Sequence, residues 1–210
     1  MTKEELLETI RQENEWREIE FTNMKLIYSN LSNSEISQNT FLRMCIPYIY
    51  AHWEGFAMSS LKLLIKYLND LKLSYQNVKI NLFVLSLNDK FQALAGKQSF
   101  EQRCEFSSRF IANLAQELKF DKKNISSKSN LNREVFLELC QIFGFENTNF
   151  DNYLTDLQQL VNIRNSIAHG ENSSLLNLDN LEKYSELVKN LIFLLTEEIK
   201  NYLEEKKYLT

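Results

Sequence analysis

The stretch LVNIRNSIAHG, Leu160 to Gly170, places three polar groups able to do chemistry at one end of a helix: Arg164, Asn165 and His169. At about 100° per residue, Leu157, Leu160, Val161, Ile163, Ile167 and Ala168 fill one apolar arc, and Arg164 points close to its centre. A guanidinium there needs a buried acidic partner, an opening to water, or a task that repays the cost of burying charge. Asn165 and His169 are spaced i, i+4, a spacing at which side chains meet. Histidine takes and returns a proton near neutral pH, and the arginine fork fits a phosphate. Together they suit phosphodiester cleavage with no metal and no cofactor. A base removes the ribose 2′-OH proton as that oxygen attacks, an acid protonates the leaving 5′ oxygen, and arginine steadies the phosphorane. One histidine cannot easily fill both proton-transfer positions, so the expected form is a homodimer that sets two motif copies face to face. Spacing alone leaves a plainer alternative, in which Arg164 pairs with an internal carboxylate and His169 sits at a helix end whose dipole favours its charged form.

Two further groups bear on that site. In YIYAHWEGFAMSSLKLLIKYL, Glu54 shares a helical stripe with Met58, Leu61 and Ile65. A carboxylate on an apolar face matches an arginine on another, so Glu54 is expected to face Arg164 and fix its guanidinium. His52 points elsewhere, among Ile49, Phe56 and Leu63, and is expected as a core or edge histidine without a catalytic role. Lys119, Lys122, Lys123, Lys128 and Arg133 form a local surplus of positive charge against Asp121 alone. It is either a solvated loop or an RNA-binding arm that steers substrate toward the motif.

The elements that must position these groups are helices. Thr2 followed by Glu5 has the form of a capping box, opening a helix to about Asn30 with an apolar stripe of Leu6, Leu7, Ile10, Trp16, Ile19, Met24 and Ile27. A second helix runs from about Glu35 to Leu71, kinked or split at Pro47. YQNVKINLFVLSLNDKF reads as a loop entering a helix. Ser99 with Gln102 caps a helix to about Leu118, and Asn132 starts one ending before Gly144. Thr148 with Asp151 begins the motif helix, and Gly170 stops it as a left-handed C-cap residue. Asp179 caps the last helix, whose stripe of Leu181, Tyr184, Val188, Leu191, Leu195, Ile199 and Tyr202 should pack antiparallel to the motif helix.

With 210 residues, a single proline and four glycines, the expectation is one all-α domain spanning residues 1–210. A net charge of −4 excludes coating nucleic acid through bulk positive charge. No apolar run approaches the roughly 18 residues of a membrane span, and MTKEELLETI is charged and helical rather than a signal, so a cytoplasmic protein without membrane contact is expected. Cys45, Cys104 and Cys140 lack metal-type spacing and are expected as buried reduced thiols.

RNSIAHG resembles the R-x-x-x-x-H signature of the HEPN superfamily, including the polar residue after the arginine. YAHWEGF and SNLNREVFLELCQIFGF resemble its stand-alone, MAE-type branch. The resemblance implies an α-helical up-and-down bundle with additional helices, usually dimeric, in which facing motifs form a metal-independent endoribonuclease site. On that resemblance Arg164 and His169 are the catalytic pair and Asn165 the accessory position. It also implies a setting in toxin–antitoxin or antiphage loci, with a neutralising antitoxin or operon partner. The alternative is a non-catalytic helical scaffold acting with an operon partner protein.

Overall fold

Thr2 opens the chain's first helix as its sequence predicts: its hydroxyl accepts from the Glu5 N–H at 3.1 Å and the Glu5 carboxylate accepts from the Thr2 N–H at 2.8 Å. The molecule is described by a computed structural model covering residues 1–31, 34–87, 98–114, 116–172 and 176–210. The first helix, α1, spans Lys3–Asn30. Its buried stripe is Leu6, Ile10, Arg17, Phe21 and Met24, which keeps Leu6, Ile10 and Met24 of the stripe read from the sequence, while Trp16, Ile19 and Ile27 are exposed. Helical spacing alone could not separate the two stripes, because the correct one contains an arginine.

Helix α2, Glu35–Asp70, runs through Pro47 as one helix, so of the kink or split expected there the split does not occur. Proline removes the N–H that the Arg43 carbonyl would accept, at a cost of about 3 kcal/mol. Leu42, Cys45, Ile46, Ile49, Tyr50 and Trp53 are all buried around that point and hold the helix together. Beyond Trp53 the helix is apolar on nearly every side, which marks it as the central element.

A 3-10 turn at Tyr75–Asn77 leads to α3, Ile80–Ser86, so the alternating run resolves as a helix; its continuation past Leu87 lies outside the described residues. Helix α4, Phe100–Leu114, opens with Ser99 and Gln102 bonded reciprocally. It stops short of Leu118, whose N–H instead bonds the Leu73 carbonyl at 2.7 Å. Helix α5, Arg133–Phe143, is capped by Asn132 and ended by Gly144 at φ 73°. The motif helix α6, Asp151–Ala168, follows a 3-10 turn at Asn147–Phe150 and has no side-chain cap, so Thr148 does not play the predicted part. Asn177 and Asn180, rather than Asp179, close the capping box of α7, Leu178–Glu204. Part of the turn before it, residues 173–175, lies outside the described residues.

Cross-helix contacts fix the directions. Met1 pairs with Asp70 and Glu20 meets Tyr48 and His52, so α1 and α2 are antiparallel. Glu18 pairs with Lys189 and Lys25 with Glu182, while Asp156 pairs with Lys183 and Glu146, ahead of α6, with Lys207, past the end of α7, so α7 runs against both α1 and α6. The four long helices therefore alternate up and down, with α2 and α7 most extensively packed and α1 and α6 flanking them. Helices α3 to α5 are inserted between α2 and α6. Aromatic contacts seat the last of them: Phe136 lies 5.2 Å from Trp53 and 4.9 Å from Phe150 between ring centres. Every residue of the predicted α7 stripe is buried. Cys45 and Cys140 are buried, and burial pushes their thiols up to about 11 and about 12. Cys104 is exposed, because the face of α4 that carries it meets solvent rather than the core.

Candidate functional site

The end of α6 is set by local chemistry. Gly170, at φ 77°, donates to the Ile167 carbonyl at 3.0 Å, and Glu171 donates to the Ser166 carbonyl at 2.9 Å. These two bonds form a Schellman turn, which needs a residue free to adopt the left-handed conformation. His169 occupies the C-cap, with its N–H on the Asn165 carbonyl at 2.9 Å. Its side chain is exposed, and among the described residues it has no hydrogen-bond or ion-pair partner. The imidazole is thus carried at a defined helix end with both nitrogens open to a ligand.

One helical turn and a half earlier, Arg164 is half-buried. The buried stripe of α6 consists of Leu154, Leu157, Leu160 and Val161; Ile163 and Ile167 are only half-buried, so the arc opens at the position Arg164 occupies. Nη1 donates to Asn165 Oδ1 at 2.9 Å and to Asn130 Oδ1 at 3.1 Å, and the guanidinium carbon lies 5.2 Å from the centre of the Tyr50 ring. These partners are neutral. Among the described residues no carboxylate lies within ion-pair distance of Arg164, and the expected pair with Glu54 is absent. Tyr50 of α2 stands between them instead. Its hydroxyl accepts from the Leu131 N–H at 2.6 Å, and burial, with the neighbouring Glu54 carboxylate adding to it, raises its pKa above the usual phenol value. Glu54 therefore touches the guanidinium only through the ring of Tyr50.

Sequence reasoning missed three residues that build this site. Asn130 and Tyr50 hold Arg164 from the α5 approach and from α2. Arg43, also on α2, donates to the Glu171 carbonyl at 2.5 Å and to Asn172 Oδ1 at 3.1 Å, bracing the turn that carries His169. Arg43, Pro47, Tyr50 and Glu54 recur at the three- and four-residue spacing of one helix face, and that was the available signal. The basic stretch is divided: Lys119, Lys122 and Lys123 lie away from the motif, whereas Lys128 and Arg133 flank Asn130, which bonds Arg164. Phe120 exchanges hydrogen bonds with Asn69 near the far end of α2, while Asn130 and Leu131 reach Tyr50, nineteen residues or roughly 28 Å back along that helix. Lys119, Lys122 and Lys123 are exposed near the Asn69 end; Lys128 pairs with Glu138 at 2.5 Å; Arg133 is exposed at the start of α5.

A second polar cluster lies on the other side of α2. His52 is buried, ringed by Trp16, Phe21 and Tyr48 at 4.5 to 5.3 Å between ring centres. Its Nε2 is 3.2 Å from Glu20 but out of hydrogen-bond alignment, and neither ring nitrogen has a hydrogen-bond partner among the described residues. Burial, helped by the nearby Arg17 and opposed by Glu20, holds its pKa below the usual histidine value. Arg17 pairs with Glu13 at 3.0 Å and lies 4.2 Å from the Trp16 ring centre. The histidine is therefore a core residue, as read from the sequence, though not a hydrogen-bonded one.

Among the described residues no three His, Cys, Asp or Glu side chains are grouped to hold a metal ion, and no helix is long and apolar enough to cross a membrane. No curated protein and no solved structure matches the chain. The family described as RiboL-PSP-HEPN matches residues 12–205, from the first helix to the last and through the whole site just described. The chain belongs to this HEPN family.

Proposed function

We propose that the protein is a metal-independent endoribonuclease whose site is completed by a second copy of the chain. The observation that carries this reading is Arg164: half-buried, held by amide oxygens and an aromatic ring, and without an acidic partner among the described residues. A partly desolvated guanidinium with three N–H groups to spare is a phosphate site awaiting its anion. His169 sits within reach of the same helix end.

In the proposed reaction the 2′ oxygen forms a bond to the neighbouring phosphorus while a base takes its proton. The bond from phosphorus to the 5′ oxygen breaks, and an acid supplies the proton that oxygen needs. A 2′,3′-cyclic phosphate and a 5′-hydroxyl result, with Arg164 bearing on the charged phosphorane. His169 of one copy and of the other serve as base and acid. Asn165 anchors the guanidinium, and Glu54 supports it from behind through Tyr50. The setting is a toxin or antiphage ribonuclease in the cytoplasm that cuts cellular RNA and is restrained by a neutralising partner.

A second reading, a non-catalytic interaction module, draws on the exposed apolar side chains of α1 and the first half of α2, among them Ile19, Ile36 and Met44. Incubation of RNA with the purified protein in EDTA separates the two. Cleavage by the wild type that His169→Ala abolishes while the dimer persists supports the enzyme, whereas uncut RNA at high protein concentration supports the module.

A further inference from the structure

Seven arginines occur in the chain. Arg11, Arg17 and Arg109 pair with glutamates of their own helices, and Arg103 and Arg133 are exposed. Arg43 and Arg164 remain, both half-buried and both without a carboxylate in ion-pair distance among the described residues. Each uses two N–H groups on neutral oxygens, which leaves three of the five that a guanidinium carries. The carboxylate of Glu171 accepts from the Ser166 hydroxyl at 2.9 Å, and Glu171 offers Arg43 its backbone carbonyl.

Their placement is as telling as their chemistry. Arg164 lies over Tyr50, and Arg43 is seven residues back from Tyr50 on α2, about 10 Å along the axis. Helix α6 runs antiparallel to α2, since Arg43 meets the segment just past its end and Tyr50 meets Arg164. The His169 backbone, five residues beyond Arg164, is therefore about 7.5 Å along the same direction, just before the Glu171 carbonyl that Arg43 holds. Two guanidiniums without a carboxylate partner among the described residues thus lie along the α2–α6 seam on either side of the His169 position.

We propose that Arg43 is a second phosphate-binding group of this site, engaging a neighbouring phosphate of the strand whose scissile phosphate Arg164 holds. The substrate is then a single-stranded polynucleotide rather than an isolated phosphodiester. This assignment deepens the ribonuclease reading and rests on it for the identity of the strand. The Arg43 fork is pre-set by the Glu171 carbonyl and Asn172, so little side-chain freedom is lost when it binds.

The test uses RNA oligonucleotides methylated at every 2′ oxygen, which bind but have no free nucleophile. Their lengths run from a dinucleotide, with one phosphodiester, to a hexanucleotide. Wild-type affinity should rise with length. Arg43→Ala should weaken the hexanucleotide about tenfold, the expected loss of one charge-assisted contact, and lower the salt slope of binding by about one. The loss on the dinucleotide should be several times smaller. Arg43→Gln keeps an amide donor for the Glu171 carbonyl and should show the same length-dependent loss, which decides the matter if the alanine variant folds poorly. With cleavable hexanucleotide, KM should rise more than kcat falls.

Equal losses on both lengths, or a fall in kcat at constant KM, would make Arg43 a brace for the His169 turn and overturn the proposal. So would unchanged binding, or a wild type that does not discriminate by length. If the wild type and His169→Ala fail equally to cut RNA, the ribonuclease reading falls, while the methylated series still decides for or against Arg43.

Discussion

At the residue scale the account turns on a guanidinium without a carboxylate. The sequence posed the choice among an acidic partner, an opening and a task, and Glu54 was the natural acid because it too sits on an apolar face. Tyr50 occupies the space between them, and this could not be read from either helix alone. The tyrosine consequently has two duties. Tyr50→Phe keeps the ring beneath Arg164 but leaves the Leu131 N–H unpaired in the interior, which should cost about 1–3 kcal/mol in urea unfolding. It should also lower RNA cleavage, because Asn130, next to Leu131, is one of the two amides that orient Arg164. A variant as stable and as active as the wild type contradicts that role. Arg164→Lys should recover little activity, since an ammonium cannot reproduce a planar fork gripping amides on one edge and phosphate on the other. His52 gives a pH signature of its own. Its folded pKa is depressed below 6.5, so the unfolded chain takes up the proton first. The contribution is fully present above pH 6.5 and is lost as pH falls toward the folded value. The urea midpoint should therefore drop between pH 7.5 and 5.5 in the wild type and drop less in His52→Gln. Equal slopes would contradict the assignment of the effect to His52.

At the element scale, what was most legible in the sequence was decided within one turn of chain, although the caps read at Thr148 and Asp179 are not formed. Thr2 with Glu5, Ser99 with Gln102, and Asn132 with Gly144 were all read correctly, because a cap is a contact between residues three apart. The motif helix ends where Gly170 says it should for the same reason. Elements decided by distant packing were less legible. Arg17 lies on the buried stripe of α1 because Trp16 and Glu13 enclose it, and a stripe drawn through apolar residues alone cannot include it. Pro47 sits in an intact helix because the residues around it are buried on α1, α6 and α7. Arg43 escaped notice because its partners lie 128 and 129 positions away. The turn at Gly170 carries a prediction at this scale. A Cβ added there meets nothing within 4 Å, so Gly170→Ala pays only for its backbone conformation, about 1 kcal/mol. Any shift of the turn to relieve that strain moves His169, and activity should fall further than a thermal melt does. A variant losing stability but no activity would show that the turn does not aim the imidazole.

At the scale of the whole molecule, the alternation of α1, α2, α6 and α7 explains why the site is where it is. The α2–α6 pair supplies every group that touches Arg164 except Asn130, and the insertion of α3 to α5 delivers that one. The chain carries one histidine at this seam, so the proposed chemistry needs a second copy. Light scattering should give twice 24.9 kDa at working concentrations, and specific activity should fall on dilution through the dimer's dissociation constant. Activity per chain that stays constant into the monomeric range contradicts a shared site. The most direct test of the central claim is the chemical identity of the ends left on cut RNA. In the presence of EDTA, mass spectrometry of the fragments should find 2′,3′-cyclic phosphates paired with 5′-hydroxyls, and none with His169→Ala or Arg164→Ala. Fragments bearing 3′-hydroxyls and 5′-phosphates, or RNA left whole by the wild type, would contradict it.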